Sequence, residues 1–124
     1  PAGHDLILGV SWDPDVGPLV ACGMGGVLAE AIRDVAVRCA PVTPEQAAEM
    51  LDELRYASLL RNGFRHLPPG DLDALATVVA ALSELAVALG PAVQAIDVNP
   101  VRLLPPGQGV IALDASIITR SPES

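Results

Sequence analysis

The sequence predicts an α+β fold in which two helices pack on a mostly antiparallel sheet. Three observations carry that expectation. Apolar runs near both ends alternate with small or polar residues, as half-buried strands do. Two central segments instead repeat apolar residues every three or four positions, as core helices do. The order of strands, helices and strands suits segregated layers rather than alternating parallel units. At 124 residues the chain has the size of one domain with a modest core. Half of it is apolar but only 2% aromatic, so Ala, Val, Leu and Ile must do the packing.

Asp5 to Trp12 reads as a strand. Asp13-Pro14-Asp15-Val16-Gly17-Pro18 is a dense turn signal, and Leu19 to Cys22 resumes extended structure, which together predict a hairpin. In Gly23-Met24-Gly25-Gly26 the glycines suit either a tight turn or backbone N–H groups that approach an anion. The segment matches neither G-x-G-x-x-G nor a Lys-bearing P-loop. Val27 to Ala40 fits two patterns. Leu28, Ile32, Val35 and Cys39 make a helical stripe, while Arg33, Val35, Val37 and Cys39 alternate like a strand.

Thr43-Pro44-Glu45-Gln46 is a helix start, with Thr as N-cap, Pro at the first position and Gln completing a capping box. The expected helix runs to about Leu60, buries Ala47, Met50, Leu51, Leu54 and Leu59, and ends at Arg61-Asn62-Gly63. A second helix starts at the N-cap Asp71, carries Leu75, Val78, Val79, Leu82 and Leu85 inward, and stops at Gly90-Pro91. Val93 to Val98 and Gly109 to Ile117 are the last strands, joined through the turn at Pro105-Pro106-Gly107-Gln108-Gly109. Residues 1–120 are expected to form one domain without repeat or linker, and 121–124 a frayed tail. An opening at Pro1 rather than Met fits a piece of something larger, and equally what removal of a tag leaves.

Seven Arg, no Lys and fifteen acids give a net charge of -8. That balance repels nucleic acid and anionic membrane, so neither is expected as a partner. Cys22 and Cys39 lie in apolar runs without zinc spacing and read as reduced core residues of a cytoplasmic protein. The apolar run from Ala74 to Leu89 is interrupted by Ser83 and Glu84 and reads as too short for a membrane span. His4 and His66 can accept a phosphoryl group in principle, but surface histidines are the expectation. Arg65 suits an anion clamp or a pair with Asp71.

The chemistry-bearing stretch is Ile96-Asp97-Val98-Asn99-Pro100, followed after the turn by Ile111-Ala112-Leu113-Asp114. Alternation puts Asp97 and Asn99 on one strand face, and an antiparallel return brings Asp114 toward Asn99. Oxygen ligands without a neighbouring cation suit Mg²⁺, which completes its shell with water and phosphates. The alternative is that Asp97 and Asn99 merely start the turn before Pro100.

Asp-Val-Asn-Pro followed by Ala-Leu-Asp-Ala resembles the end of the ATP-grasp domain in NDP-forming acyl-CoA synthetases. The ordered set Gly9-Val10, Asp13-Pro14, Gly17-Pro18, Gly23-Met24-Gly25-Gly26, Glu30, Asp34-Val35-Ala36, Gly63-Phe64-Arg65 and Asp71 extends the likeness over nearly the whole chain. The resemblance implies the C-terminal ATP-grasp subdomain, with extended structure in Val27 to Ala40. It implies Mg²⁺ held at Asn99 and Asp114, with ATP or ADP as nucleotide. It places Asp97 and Glu30 near the phosphoryl transfer, the former toward a visiting phosphohistidine, and Gly23, Gly25 and Gly26 beside the nucleotide. His66 stands where the family commonly has Gly.

For the parent protein the resemblance implies conversion of acyl-CoA, ADP and phosphate to acid, CoA and ATP. The partners would be the other ATP-grasp lobe and the CoA-binding domains, which supply the lysines and the carrier histidine. Two alternatives are a regulatory ligand-sensing module fused to a GNAT acetyltransferase, and a structural domain that has lost nucleotide binding. The 124 residues by themselves are expected to be inactive.

Overall fold

The computed structural model describes residues 3–25 and 34–120. Its strands are β1 (His4–Asp13), β2 (Gly17–Met24), β3 (Val35–Cys39), β4 (Val93–Leu103), β5 (Val110–Ala112) and β6 (Ala115–Thr119). Its helices are α1 (Pro44–Asp52), α2 (Ala57–Asn62) and α3 (Leu72–Leu89), with a 3₁₀ turn at Gly90–Ala92. The fold is α+β, as the sequence predicts. The sheet order is β3-β2-β1-β4-β5, with β6 also paired to β4, and every described pairing is antiparallel.

Alternation along the strands makes the sheet two-faced. Leu6, Leu8 and Val10 of β1, Val20 and Cys22 of β2, and Ile96, Val101 and Leu103 of β4 are buried toward the helices. There they meet Met50 and Leu51 of α1 and Leu75, Ala76, Val79 and Ala80 of α3. Each large side chain so buried contributes about 1.5–3 kcal/mol. The ion pairs Arg38–Glu53 and Arg61–Asp52 are solvent-exposed, and such pairs contribute at most about 1 kcal/mol each. Apolar burial therefore decides which face of the sheet the helices cover.

The capping box forms as the sequence predicts: the Thr43 hydroxyl accepts from the Gln46 N–H and the Gln46 side chain accepts from the Thr43 N–H. The helix does not, however, continue to Leu60. It stops at Asp52, and α2 starts afresh at Ala57. The cause is a residue distant in sequence. Asp34 is buried, and its two carboxylate oxygens accept the N–H groups of Arg55 and Tyr56 at 2.6 and 3.0 Å. Those amides are thereby withdrawn from an i to i−4 ladder, and a charge-assisted cap takes its place.

Asp71 caps α3 through the Ala74 N–H, and Gly90 ends it with a positive φ. The second Asp71 oxygen accepts from Gly107 and Gly109, which ties the hairpin loop to the helix start. Ser83, which breaks the apolar pattern, is fully buried; its hydroxyl accepts from Val42 and donates to Ala80. Leu72–Ala92 spans 21 residues at mean hydropathy 1.9, long and apolar enough to cross a bilayer, contrary to the expectation of too short a run. Leu75, Ala76, Val79, Ala80 and Ala86 on one side of it are buried, while Leu85, expected inward, Val87 and Leu89 are exposed.

Other expectations are corrected. Cys39 is exposed, because it lies on the outward face of the edge strand β3. His4 is buried rather than superficial, with Nε2 at 2.8 Å from the Pro68 carbonyl. Arg65 stands over the Phe64 ring, in a tight turn closed by mutual Phe64 and Leu67 backbone bonds, while Asp71 is engaged elsewhere. The last predicted strand is two strands, β5 and β6, divided at Leu113-Asp114. Of Val27 to Ala40, the described part is the extended strand β3 rather than a helix. Val27 to Arg33 and the predicted tail 121–124 lie outside the described residues.

Replacing Asp34 by Ala leaves two amides without their charged acceptor, so Asp34→Ala is expected to destabilise the chain by about 2–4 kcal/mol. Urea unfolding followed by circular dichroism measures it. A change below about 0.5 kcal/mol, the range of ordinary surface substitutions, would contradict the assigned role.

Candidate functional site

The face of the sheet away from the helices carries the polar residues that the sequence singles out. β4 lies between β1 on one side and β5 and β6 on the other. Asp97 is paired with Gly9 of β1 and Ser116 of β6. It is exposed, while its neighbour Ile96 is buried on the helix side.

Asn99 and Asp114 face each other across the next step of the ladder. Val98 pairs with Ala115 and Val101 with Ala112, and the same register sets Asn99 opposite Asp114. The Asn99 N–H donates to the Asp114 carbonyl at 3.0 Å. Both residues are exposed, and the Asp114 Oδ1 accepts from the Ala115 N–H. Pro100 has no N–H to offer, and β4 spends two residues, Asn99 and Pro100, against the single Ile7 of β1. The bulge and the division between β5 and β6 coincide there. Regular pairing lapses where the two oxygen-bearing side chains stand.

Beside them the open face forms a basin of about 560 Å³, lined by Ile7, Gly9, Ala21, Gly23, Met24, Val35 and Asp97. Among the described residues of that lining, Asp97 is the only charged one. Asp97 and Asn99 are two residues apart, about 7 Å along a strand. The structure thus brings Asn99 to Asp114 and Asp97 to Gly23. Gly25 serves differently: its N–H donates to the Asp5 carbonyl, and the Met24 N–H donates to the Asp34 carbonyl. Those two amides end a strand rather than cradle an anion. Gly26 and Glu30 lie outside the described residues.

Three ion pairs occur among the described residues, and none includes Asp97 or Asp114. The third joins Asp5 and Arg102 at 2.8 Å, with the pair also on the open face. That hydrogen bond, and then the Asp5 charge, push the Arg102 guanidinium further above its ordinary pKa. No group of three His, Cys, Asp or Glu suited to a metal occurs among the described residues. The donors are therefore an amide and a carboxylate, too few to enclose a cation but suited to Mg²⁺ that takes its other ligands from phosphate and water.

A family model for the ATP-grasp domain matches residues 1–119. The chain belongs to that family. The ATP-grasp chain is 39% identical over 109 residues to the ADP-forming acetate–CoA ligase I of Archaeoglobus fulgidus, covering 88% of this chain and 16% of that one. It is 38% identical over 118 residues to the β subunit of the ADP-forming acetate–CoA ligase I of Pyrococcus furiosus, covering 95% and 49% respectively. The ATP-grasp chain thus spans half or less of these relatives.

Among solved structures, it superposes on a chain of the dinucleotide-forming acetyl-coenzyme A synthetase 1 of Ca. Korarchaeum cryptofilum. The TM-score is 0.87 at 37% identity, covering 97% of this chain and 55% of that one. That complex holds coenzyme A and Mg-AMPPCP, with its phosphohistidine segment pointing towards the nucleotide binding site.

Sequence reasoning gave no site role to the Asp5–Arg102 pair on the open face. Its signal was the strand register, which cannot be counted across an unpredicted bulge.

Behind the basin, burial and then the Asp34 charge push the Cys22 thiol up to about 12. Cys39 is exposed. Native protein at pH 8 should therefore react rapidly with one equivalent of a thiol reagent such as 5,5′-dithiobis(2-nitrobenzoate), and with a second only on unfolding. Because the folded pKa is the raised one, the linked stability is complete below about pH 9 and is lost as pH rises toward about 12. Rapid labelling of both thiols in the native state would contradict the burial of Cys22.

Proposed function

We propose that this chain is the C-terminal part of the ATP-grasp domain of an ADP-forming acyl-CoA synthetase, and that its open sheet face carries the Mg-nucleotide. The observation that carries this reading is the pairing of Asn99 with Asp114 at the break in the ladder, beside a basin whose one charge among the described residues is Asp97. The Mg-AMPPCP complex of the Ca. Korarchaeum cryptofilum synthetase supports it.

Asn99 and Asp114 would hold Mg²⁺, each contributing one oxygen. Once bound, the ion supplies positive charge to the phosphate oxygens and offsets charge that develops as the phosphoryl group moves. Asp97, an acceptor-only side chain when ionised, would accept an N–H of the imidazole that carries the phosphoryl group and fix its orientation. Gly23 leaves the basin wall low beside the nucleotide. Glu30 and Gly26 belong to the same reading, as residues near the phosphates.

For the parent protein the reaction is acyl-CoA, ADP and phosphate to acid, CoA and ATP by way of a phosphohistidine. The rest of the ATP-grasp domain supplies the cationic grip on the phosphates that a Lys-free chain cannot. CoA-binding domains supply the acyl chemistry. The isolated 124 residues are expected to be inactive.

Thermal unfolding with ADP, with and without Mg²⁺, tests the reading on this chain and on its full-length parent. A ligand present at ten times its Kd stabilises by about 1.4 kcal/mol, so the parent's ATP-grasp transition should rise by roughly 2–5 °C with Mg-ADP. Asn99→Ala and Asp114→Ala should each abolish the Mg²⁺-dependent part. Full protection of the Asp114→Ala parent by Mg-ADP would overturn the metal assignment.

A further inference from the structure

β6 lies at the end of the sheet, paired with β4 on one side and with no described strand on the other. An open edge presents backbone N–H and C=O groups to any strand that can pair with it, and proteins usually blunt it with charge, Pro or a bulge. β6 has none of these. Ala115–Thr119 reads Ala-Ser-Ile-Ile-Thr, and all five residues are exposed, Ile117 at 60% and Ile118 at 52%. The irregularity in its pairing falls at Gln94 of β4 and leaves β6 regular. The opposite edge differs, since β3 carries Arg38 in an ion pair with Glu53.

Two hydrogen bonds fix which groups of β6 face outward. The Asp114 carbonyl accepts from the Asn99 N–H, and the Arg120 N–H donates to the Ala92 carbonyl. Both groups therefore turn toward β4 and the turn before it. Backbone groups alternate in direction along an antiparallel strand, so those of Ala115, Ile117 and Thr119 turn to the open edge. The Ala115 N–H is taken by Asp114 Oδ1. The Ala115 carbonyl and both groups of Ile117 and Thr119 are those an added strand would meet.

A second β6 fits that edge. Laid antiparallel about Ile117, this residue meets its own counterpart as a hydrogen-bonded pair, and Ala115 meets Thr119. Asp114 of each copy then stands opposite Arg120 of the other, in a non-hydrogen-bonded position where side chains come closer. Opposite charges so placed stabilise a strand pair. Neither residue belongs to an ion pair among the described residues. A register shifted by two residues loses the match, because it sets Asp114 against Ile118 or Arg120 against Ser116.

We infer that the open edge of β6 is an interface with a second copy of this chain: two β6 strands pair antiparallel about Ile117, join two sheets into one, and set Asp114 of each copy against Arg120 of the other. The relation is two-fold, with the same patch serving both copies. The contact is short, so the dimer is weaker than an obligate one. It is independent of the Mg-nucleotide reading and is tested without metal or nucleotide.

Sedimentation equilibrium of the 124-residue chain and of its full-length parent is the test, and both should show a monomer–dimer equilibrium. Ile117→Pro removes an outward N–H and spares the β4 ladder, so it should fold as the wild type does and associate at least about tenfold more weakly. Arg120→Asp should weaken association by about tenfold. Adding Asp114→Arg to that variant returns the net charge to -8 and should restore most of the association. Should Ile117→Pro not fold by circular dichroism, Ile117→Lys replaces it with the same loss expected, since Lys blunts an edge.

Monomers at every concentration up to about 1 mM would overturn the inference. So would a dimer undiminished by the Ile117 variant, or a charge exchange no stronger than Arg120→Asp alone. A parent that stays monomeric while the chain dimerises would overturn it as well. Slow hydrogen exchange at Ile117 and Thr119 in that parent would then give the edge to another segment of the same polypeptide.

Discussion

A sheet that packs helices on one face and leaves the other bare depends on the two-residue period of β1 and β4. The same strand that sends Ile96 into the core sends Asp97 outward. Burial of the inner face fixes the register, since a slip by one residue would put carboxylates among leucines. The outer face is thereby positioned without any interaction of its own. This separates two roles by direction: the inward half of each strand folds the domain, and the outward half is left exposed.

The exception to regular pairing falls where two oxygen-bearing side chains face each other. Pro100 removes a donor from the ladder, β4 bulges against Ile7, and the returning strand divides at Leu113-Asp114. Asn99 and Asp114 are left opposite each other with a single backbone bond between them. A ladder interrupted at this point holds two side chains in fixed relation while leaving both exposed. Asp71 reinforces the arrangement from a distance, because its grip on Gly107 and Gly109 fixes the loop that carries the return strand.

Most of this was legible in the sequence where a local rule was sufficient. The capping box at Thr43, the N-cap at Asp71 and the stop at Gly90 are signals within one turn of the chain, and all are found. The Asn99–Asp114 juxtaposition was legible because a Pro/Gly turn between alternating runs leaves few ways to return. The break between α1 and α2 was not, since its cause, Asp34, lies about twenty residues before the amides it captures. Cys39 and His4 were misjudged for a similar reason: hydropathy states how apolar a run is, but the sheet order decides which strand is an edge.

The proposed seat of the cation and phosphates is the Asn99–Asp114 break on the open face. Paramagnetic broadening by Mn²⁺-ADP in the ¹⁵N-labelled chain tests it most directly, because Mn²⁺ takes the same oxygen ligands as Mg²⁺ and broadens amides in its vicinity. Broadening should centre on Asn99, Asp114 and Ala115 and extend to Asp97 and Gly9, with the α1 and α3 amides sharp. Broadening centred on the helices or on the exposed acids Asp52 and Glu53 would contradict it.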